Sequence, residues 1–425
     1  MNTMVYPVMY SIRQVTDAPK INNVKRAVTE ELAGLDLTSM ITPGARIAIT
    51  AGSRGINHID QIIKQVVQVL KSHKARPFIV PAMGSHGNGT AQGQQEILES
   101  LNISEETMAA PILSSMEVRQ VGVSSHGFPV LVDKYAAEAD GVVVINRIKP
   151  HTEFEGPIES GLMKMMAIGL GKHKGCFAVH RQTVNFGYSQ VIPEIGSIIL
   201  DEIPVLFGLG IVENIYDEIA CIEACLPSKF YETEVRLLEK AKKYMARLPF
   251  DNIDLLIVDE IGKNISGTGM DTNVIGRIMF IGEKEPEKPK ITRIVVLDLT
   301  EISHGNAVGI GLADFTTENV IHKLDTQAMA TNAITAMTPE KARLPVSLAT
   351  DRAAVEAALQ TIGAVEAVAA RVVHIKNTLE MGVMHISHAL KKDLEEREDL
   401  MLVEELGRLS FDENDRLSPI MFLSQ

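Results

Sequence analysis

The sequence predicts an α/β protein: two α/β domains with largely parallel sheets and an active-site cleft between them. Three observations carry this expectation. Short β-branched runs alternate with longer amphipathic ones, the rhythm in which a strand, a crossover helix and the next parallel strand follow one another. The rhythm breaks once, at Leu248-Pro-Phe-Asp251, and then resumes. The chain of 425 residues, 45% hydrophobic and 22% charged, is long enough to bury more than one core.

The first series runs through 46–50, 59–70, 77–81 and 92–101 and reads β-α-β-α. A third strand is expected over 139–145. Helices are expected over 192–201 and 231–246, the second with Lys and Arg in its last turns, where the helix dipole favours cations. The second series places strands over 253–259, 294–299, 345–349 and 371–375 and a helix over 351–362. The runs divide the chain into a Rossmann-like first domain over 1–249, a second α/β domain over 250–400, and a tail over 401–425 able to pack back on the first. The charged, proline-bearing run 283–290 reads as a solvated surface loop, and 392–399 as an exposed helix turn or linker.

Charge and composition narrow the partners. A net charge of −13 argues against a broad basic footprint for nucleic acid or anionic membrane, which leaves a small-molecule anionic substrate in a local cationic pocket. No charged n-region followed by a long apolar stretch opens the chain, and no apolar run approaches the roughly 18 residues of a membrane span, so a cytoplasmic protein is expected. Homo-oligomerisation is compatible with this composition. The three cysteines build no disulfide framework, and Cys221 with Cys225 lack a second pair for zinc, so free buried thiols are expected.

In parallel sheets ligands gather at the loops after the carboxyl ends of strands, and three such loops carry chemistry. The first, 51–55, holds Arg54, whose guanidinium fork suits a carboxylate; its plain alternative is a surface arginine. The second, 84–89, holds His86 between glycines, either a turn histidine or a base presented at the sheet edge. The third strand runs into Lys149-Pro-His151. Farther on, Lys164 and His180, sixteen positions apart, flank the glycine-rich run 169–175. Lysine can anchor a cofactor covalently, histidine is the commonest nitrogen ligand for metals, and glycine lets backbone approach a bulky ligand. The run is not a Walker loop, because Met166 and His173 stand where that pattern needs Gly and Ser or Thr. A backbone cradle for one phosphate, helped by Lys172 and Lys174, is still compatible with it. Met163, Met165 and Met166 read as core filling rather than metal ligands. In the second domain, the loop 266–273 is expected to face the first domain, with Lys263 and Arg277 bracketing it as substrate-binding cations or as surface charges.

Lys149-Pro-His151, Gly156, Gly161-Leu-Met-Lys164 and His180 carry a resemblance. Over nearly its whole length the chain resembles the nickel-pincer lactate racemase family, which includes racemases and epimerases of other 2-hydroxy acids. The resemblance implies that Lys164 covalently bears a pyridinium thioamide/thiocarboxylate mononucleotide pincer and that His180 is the protein ligand of its nickel. It also implies that His86 and His151 are opposed acid/base groups, and that Arg54 contacts acidic substrate or cofactor. The implied activity is inversion of the hydroxyl-bearing carbon of a 2-hydroxy acid by reversible hydride transfer, with cofactor-assembly enzymes as partners. The first loop, Thr50-Ala-Gly-Ser-Arg-Gly55, departs from the family's acidic Thr-Arg-Pro loop and leaves the particular hydroxy acid open. Two other readings compete: a zinc-type hydrolase using His86, His151 and His180, and a non-catalytic hydroxy-acid or nucleotide-binding protein.

Overall fold

The computed structural model describes residues 4–15, 18–53, 55–395 and 397–420. The chain divides into two units, Ala18–Met245 and a second that joins Met1–Asp17 to Ala246–Gln425.

The sheet of the Ala18–Met245 unit has the order Arg76–Pro81, Arg46–Ala51, Gly141–Arg147, Val205–Glu213, Ile219–Cys225, with the first four strands parallel and the last antiparallel. Arg46–Ala51 is buried at every position after the first, and Gly141–Arg147 through its first five residues. Such continuous burial is the pattern of strands covered on both faces, which is why they read as apolar runs rather than alternations. On one face, the helix Ile59–Ser72 buries Ile59, Ile62, Ile63, Val66, Val67 and Leu70, the i, i+3, i+4 stripe of an amphipathic helix. These side chains share a core with Ile47, Ile49, Val143 and Phe207 of the sheet, and each one fully buried contributes about 1.5–3 kcal/mol of transfer free energy. Elsewhere, the helix Phe230–Tyr244 sets Leu237, Leu238 and Ala241 against Ile148 and Val212. A separate antiparallel hairpin joins Val118–Val123 to Pro129–Asp133.

The second unit holds an eight-stranded sheet in the order Val346–Leu348, Phe315–Thr317, Lys290–Leu299, Asn252–Ile261, Val372–Ile375, Val383–Ser387, Val8–Gln14, Leu400–Arg408. The first five strands are parallel and the last three run antiparallel to their neighbours. Leu255, Ile257 and Val295 pack with Ala354, Val355, Ala358 and Leu359 of the helix Asp351–Gln360.

The mixed α/β architecture with largely parallel sheets is therefore present, but the division of the chain differs from the sequence-based one. The break falls at 245/246, close to Pro249, yet Val8–Gln14 lies in the sheet of the later unit, paired with Val383–Ser387 on one side and Leu400–Arg408 on the other. The expected tail does pair with residues of the expected first domain, but those residues belong to the later unit. The reason is long-range pairing: a seven-residue strand whose partners lie 370 or more positions away leaves no local periodic signal of its allegiance. Among the described residues no helix is long and apolar enough to cross a membrane.

Candidate functional site

In the Ala18–Met245 unit, parallel register sets the carboxyl ends of Arg76–Pro81, Arg46–Ala51 and Gly141–Arg147 side by side. His86, exposed in the loop after Arg76–Pro81, meets Ser53 Oγ of the neighbouring loop through Nδ1 at 2.5 Å. Gln94, fully buried on the helix Ala91–Ser100, fixes the His86 loop from beneath by donating to the carbonyls of Gly84 at 2.9 Å and His86 at 3.3 Å. Gly87 sits at φ +65°, and a Cβ there would lie 2.5 Å from the backbone of Gly93, so the loop closes on its helix only with glycine. Arg54 lies outside the described residues.

Lys164 ends a short helical turn, Leu162–Lys164, that is held at both ends. At its start, the buried Glu234 of helix Phe230–Tyr244 accepts the Met163 N–H at 2.7 Å and binds the Leu162 N–H as well. Its carboxyl fills the space a Cβ on Gly161 would need, 2.6 Å away. Burial pushes Glu234 up to about 8 although the two N–H groups pull it down. After Lys164 the chain winds a π turn, with Leu170 N–H bonded to Met165 C=O at 2.9 Å, the i→i−5 pattern often found beside functional residues. Gly169 allows that turn to pass close to the Ala82 carbonyl, where a Cβ would come within 2.6 Å.

His151 is buried, and it is held at three atoms. Its N–H donates to Glu159 Oε2 at 2.6 Å, its Nδ1 accepts the Glu153 N–H at 3.1 Å, and its Nε2 meets Lys164 Nζ. Glu159 is buried with the Lys242 ammonium 2.7 Å away; burial raises its carboxyl above the usual range while Lys242 and the N–H donors oppose that rise. Backbone pairing of Lys149 with Ser160 closes the loop that carries His151 and Glu153.

His180, partly buried on helix Lys172–Phe186, is tied to the same place by Tyr188. Its Nδ1 lies 2.8 Å from the Tyr188 hydroxyl, which donates to Glu153 Oε2 at 3.1 Å. Tyr188 is fully buried at the start of the next helix, Tyr188–Glu202, stacked on Phe154 at 4.7 Å and 5.6 Å from the His151 ring. Burial, reinforced by Glu153, raises its phenol well above 10. One turn before His180 on the same helix, Cys176 is buried against Ser85 and the His180 ring. Burial raises a thiol and lowers an imidazole, but here each outweighs that effect on the other: Cys176 falls below the ordinary thiol range, and His180, with Glu153 assisting, rises above its own.

The structure thus joins His151, Lys164 and His180 through Glu153 and Tyr188, and brings the His86 loop to the His180 helix through Ser85 and Cys176. Three other expected residues are used by the fold instead. Lys172, expected to help cradle a phosphate, is fully buried, with its ammonium on the Pro81 carbonyl, on Gln94 Oε1 at 3.1 Å and on Asp133 at 3.2 Å. Arg277 donates to the Leu312 carbonyl at 2.9 Å and the Ile291 carbonyl at 3.0 Å, and pairs with Asp314 at 2.9 Å. Lys263 Nζ lies 2.6 Å from the Gly267 carbonyl of its own loop. Among the described residues no three His, Cys, Asp or Glu side chains converge as a metal-ligand set, so a three-histidine zinc site is not formed there. Sequence reasoning missed Glu153, Glu159, Tyr188, Glu234 and Cys176. Only Cys176 carried a signal, its i, i+4 spacing to His180; the carboxylates and the tyrosine arrive from separate turns and helices.

Residues 7–190 match the family model of the lactate racemase N-terminal domain. No curated protein matches the chain. Among solved structures, the lactate racemase apoprotein from Thermoanaerobacterium thermosaccharolyticum is similar in fold, with a TM-score of 0.54 at 12% identity, over 87% of this chain and 98% of that one. The stretch that carries Lys164 and His180 thus lies within the residues similar to the lactate racemase N-terminal domain.

Proposed function

We propose that this protein is an isomerase, a racemase or epimerase that inverts the hydroxyl-bearing carbon of a 2-hydroxy acid with a nickel-pincer nucleotide attached covalently through Lys164. One observation carries the reading: the Lys164 amine lies against His151 Nε2, while His180, sixteen residues on, is tied to the same loop through Tyr188 and Glu153. The residues fit such a group. Lys164 stands on a turn fixed at both ends, and His180 has its Nδ1 engaged, so Nε2 is the nitrogen that offers a lone pair to nickel.

When bound, the group supplies an electrophilic pyridinium ring able to take up and return hydride at the substrate carbon. The chain's own residues manage protons and position. His151, with Nδ1 accepting the Glu153 N–H, carries its ring hydrogen on Nε2 when neutral and presents that nitrogen, beside Lys164, to a substrate oxygen. His86, held through Nδ1 against Ser53 Oγ, leaves Nε2 to take the proton of the substrate hydroxyl. With the two histidines on opposite sides of the substrate, the neutral one takes the hydroxyl proton and the charged one gives its proton to the keto oxygen, and these roles exchange when the opposite enantiomer binds. Arg54, in the same first loop as Ser53, supplies the cationic fork for the substrate carboxylate. Lys263 and Arg277, proposed from sequence as further substrate contacts, take no part in this reading, because their heads are held by carbonyls and Asp314. Cofactor-assembly enzymes are the implied partners.

The test is to express the chain with enzymes that assemble the nickel-pincer nucleotide, measure covalent mass on Lys164 and bound nickel, and assay a panel of 2-hydroxy acids for inversion. Modified Lys164, nickel, and inversion without solvent deuterium entering at carbon are expected. An unmodified lysine without nickel under those conditions overturns the reading.

A further inference from the structure

The group that lies behind His180 points to a role for two residues that no motif marks. The Tyr188 hydroxyl has one proton, and that proton is given to Glu153 Oε2 at 3.1 Å. Toward His180 Nδ1, 2.8 Å away, the same oxygen can then only accept, so Nδ1 must carry a hydrogen. A histidine has two ring nitrogens; when the proton is pinned on one, the other keeps the lone pair when the ring is neutral.

We infer that Tyr188 and Glu153 are positioning residues for His180: as a carboxylate–phenol–imidazole relay they hold the ring proton on Nδ1 and present Nε2 as the metal-binding nitrogen. This inference rests on the reading of His180 as the nickel ligand. The relay is built for rigidity. Tyr188 is fully buried, stacked flat on Phe154 at 4.7 Å and 7°, and edge-on to the His180 ring at 5.9 Å and 77°. Glu153 is buried and comes from the loop that also carries His151, so the orientation of the metal-binding ring is referred to the same backbone that sets the acid/base histidine. Partners behind a ligating histidine commonly govern metal affinity by about 10- to 100-fold, because they fix both the ring's tautomer and its direction.

Two measurements test the relay, and the first does not depend on the cofactor. In the metal-free protein, long-range proton–nitrogen spectra of the His180 ring should show Nδ1 protonated from neutral to alkaline pH, with Nε2 the nitrogen that loses its proton. Tyr188→Phe, which keeps the stacking on Phe154 but removes the acceptor, should abolish that preference. Glu153→Gln should weaken it less, because an amide oxygen still accepts from the phenol. The second measurement is nickel retained per Lys164 adduct after a chelator challenge. Tyr188→Phe should lower retention about 10- to 100-fold with the covalent mass on Lys164 unchanged, and Glu153→Gln should fall between it and wild type. A wild-type His180 protonated on Nε2 and bare on Nδ1 overturns the inference, and so does wild-type nickel retention in Tyr188→Phe. If wild-type protein takes up no adduct at all, the proposed function fails, and the spectra alone decide the relay.

Discussion

His151 shows how much of a candidate acid/base side chain's placement is made by backbone. Its ring direction follows from Nδ1 accepting the Glu153 N–H, and its main chain is anchored by Glu159, which is in turn neutralised by Lys242. Glu159→Ala is therefore expected to do two separable things. It leaves the His151 N–H and the Lys242 ammonium without their carboxylate, which should cost about 1–3 kcal/mol of stability in denaturant unfolding. It also loosens the loop, and displacement of an acid/base group by about 1 Å can cost on the order of 10²-fold in kcat. Glu159→Gln keeps an acceptor for the N–H and should recover most of the stability. Nearly equal kcat in wild type and Glu159→Ala would show that the loop holds His151 without this carboxylate. At this scale the sequence was a partial guide. His86, His151, Lys164 and His180 were legible because loops after strands and an order of Lys and His residues are local facts. Lys172 and Arg277 misled because a charge in sequence does not disclose whether a carbonyl or carboxylate of the fold has already claimed it.

One of the shortest elements, the three-residue helical turn that ends at Lys164, exists because other segments make room for it. Glu234 caps its first N–H groups, Gly161 leaves space for that carboxyl, and the π turn after it redirects the chain past Ala82. Gly161→Ala should collide with Glu234 and shift the turn, so covalent loading of Lys164 is expected to fall well below wild type, read as adduct mass per chain. Unchanged loading would mean that helix Phe230–Tyr244 yields instead. The longer elements were readable in outline: the strands and helices at 46–51, 76–81, 59–72 and 351–360 have dense apolar periodicity. Val205–Glu213 was not, since glycines at 208 and 210 interrupt its apolar run to admit Leu162, Phe230, Ile148 and Leu237. The π turn was also invisible, because its extra residue is a packing solution and not a propensity.

Across the whole molecule, the two units are set to lose stability at opposite ends of the pH range. In Ala18–Met245, Glu234 is raised from 4.5 to about 8, first by burial. Between those values the folded state holds a proton that the unfolded chain has released, so the stability from this site is complete below about 4.5 and is lost as pH rises through 8. The other unit carries a row across three adjacent strands: His385, His374, and Asp259, whose Oδ1 lies 2.5 Å from His374 Nε2 and whose Oδ2 accepts the Ile420 N–H. Burial first, and then His374, lower His385 from 6.5 to about 4 although Asp259 opposes them. Here the unfolded chain takes up a proton that the folded state refuses, so stability is complete above about 6.5 and is lost as pH falls toward 4. Hydrogen exchange read separately at Arg46–Ala51 and Asn252–Ile261 should therefore diverge. Protection of the first strand should decline on alkalinisation, and that of the second on acidification. Glu234→Gln, an uncharged mimic of the protonated carboxyl, should flatten the alkaline decline at Arg46–Ala51 and leave the acid decline at Asn252–Ile261 in place. His385→Gln should do the reverse. Parallel loss of protection in both strands at both extremes, unaltered by either substitution, would mean that these two buried groups do not set the pH limits of their units.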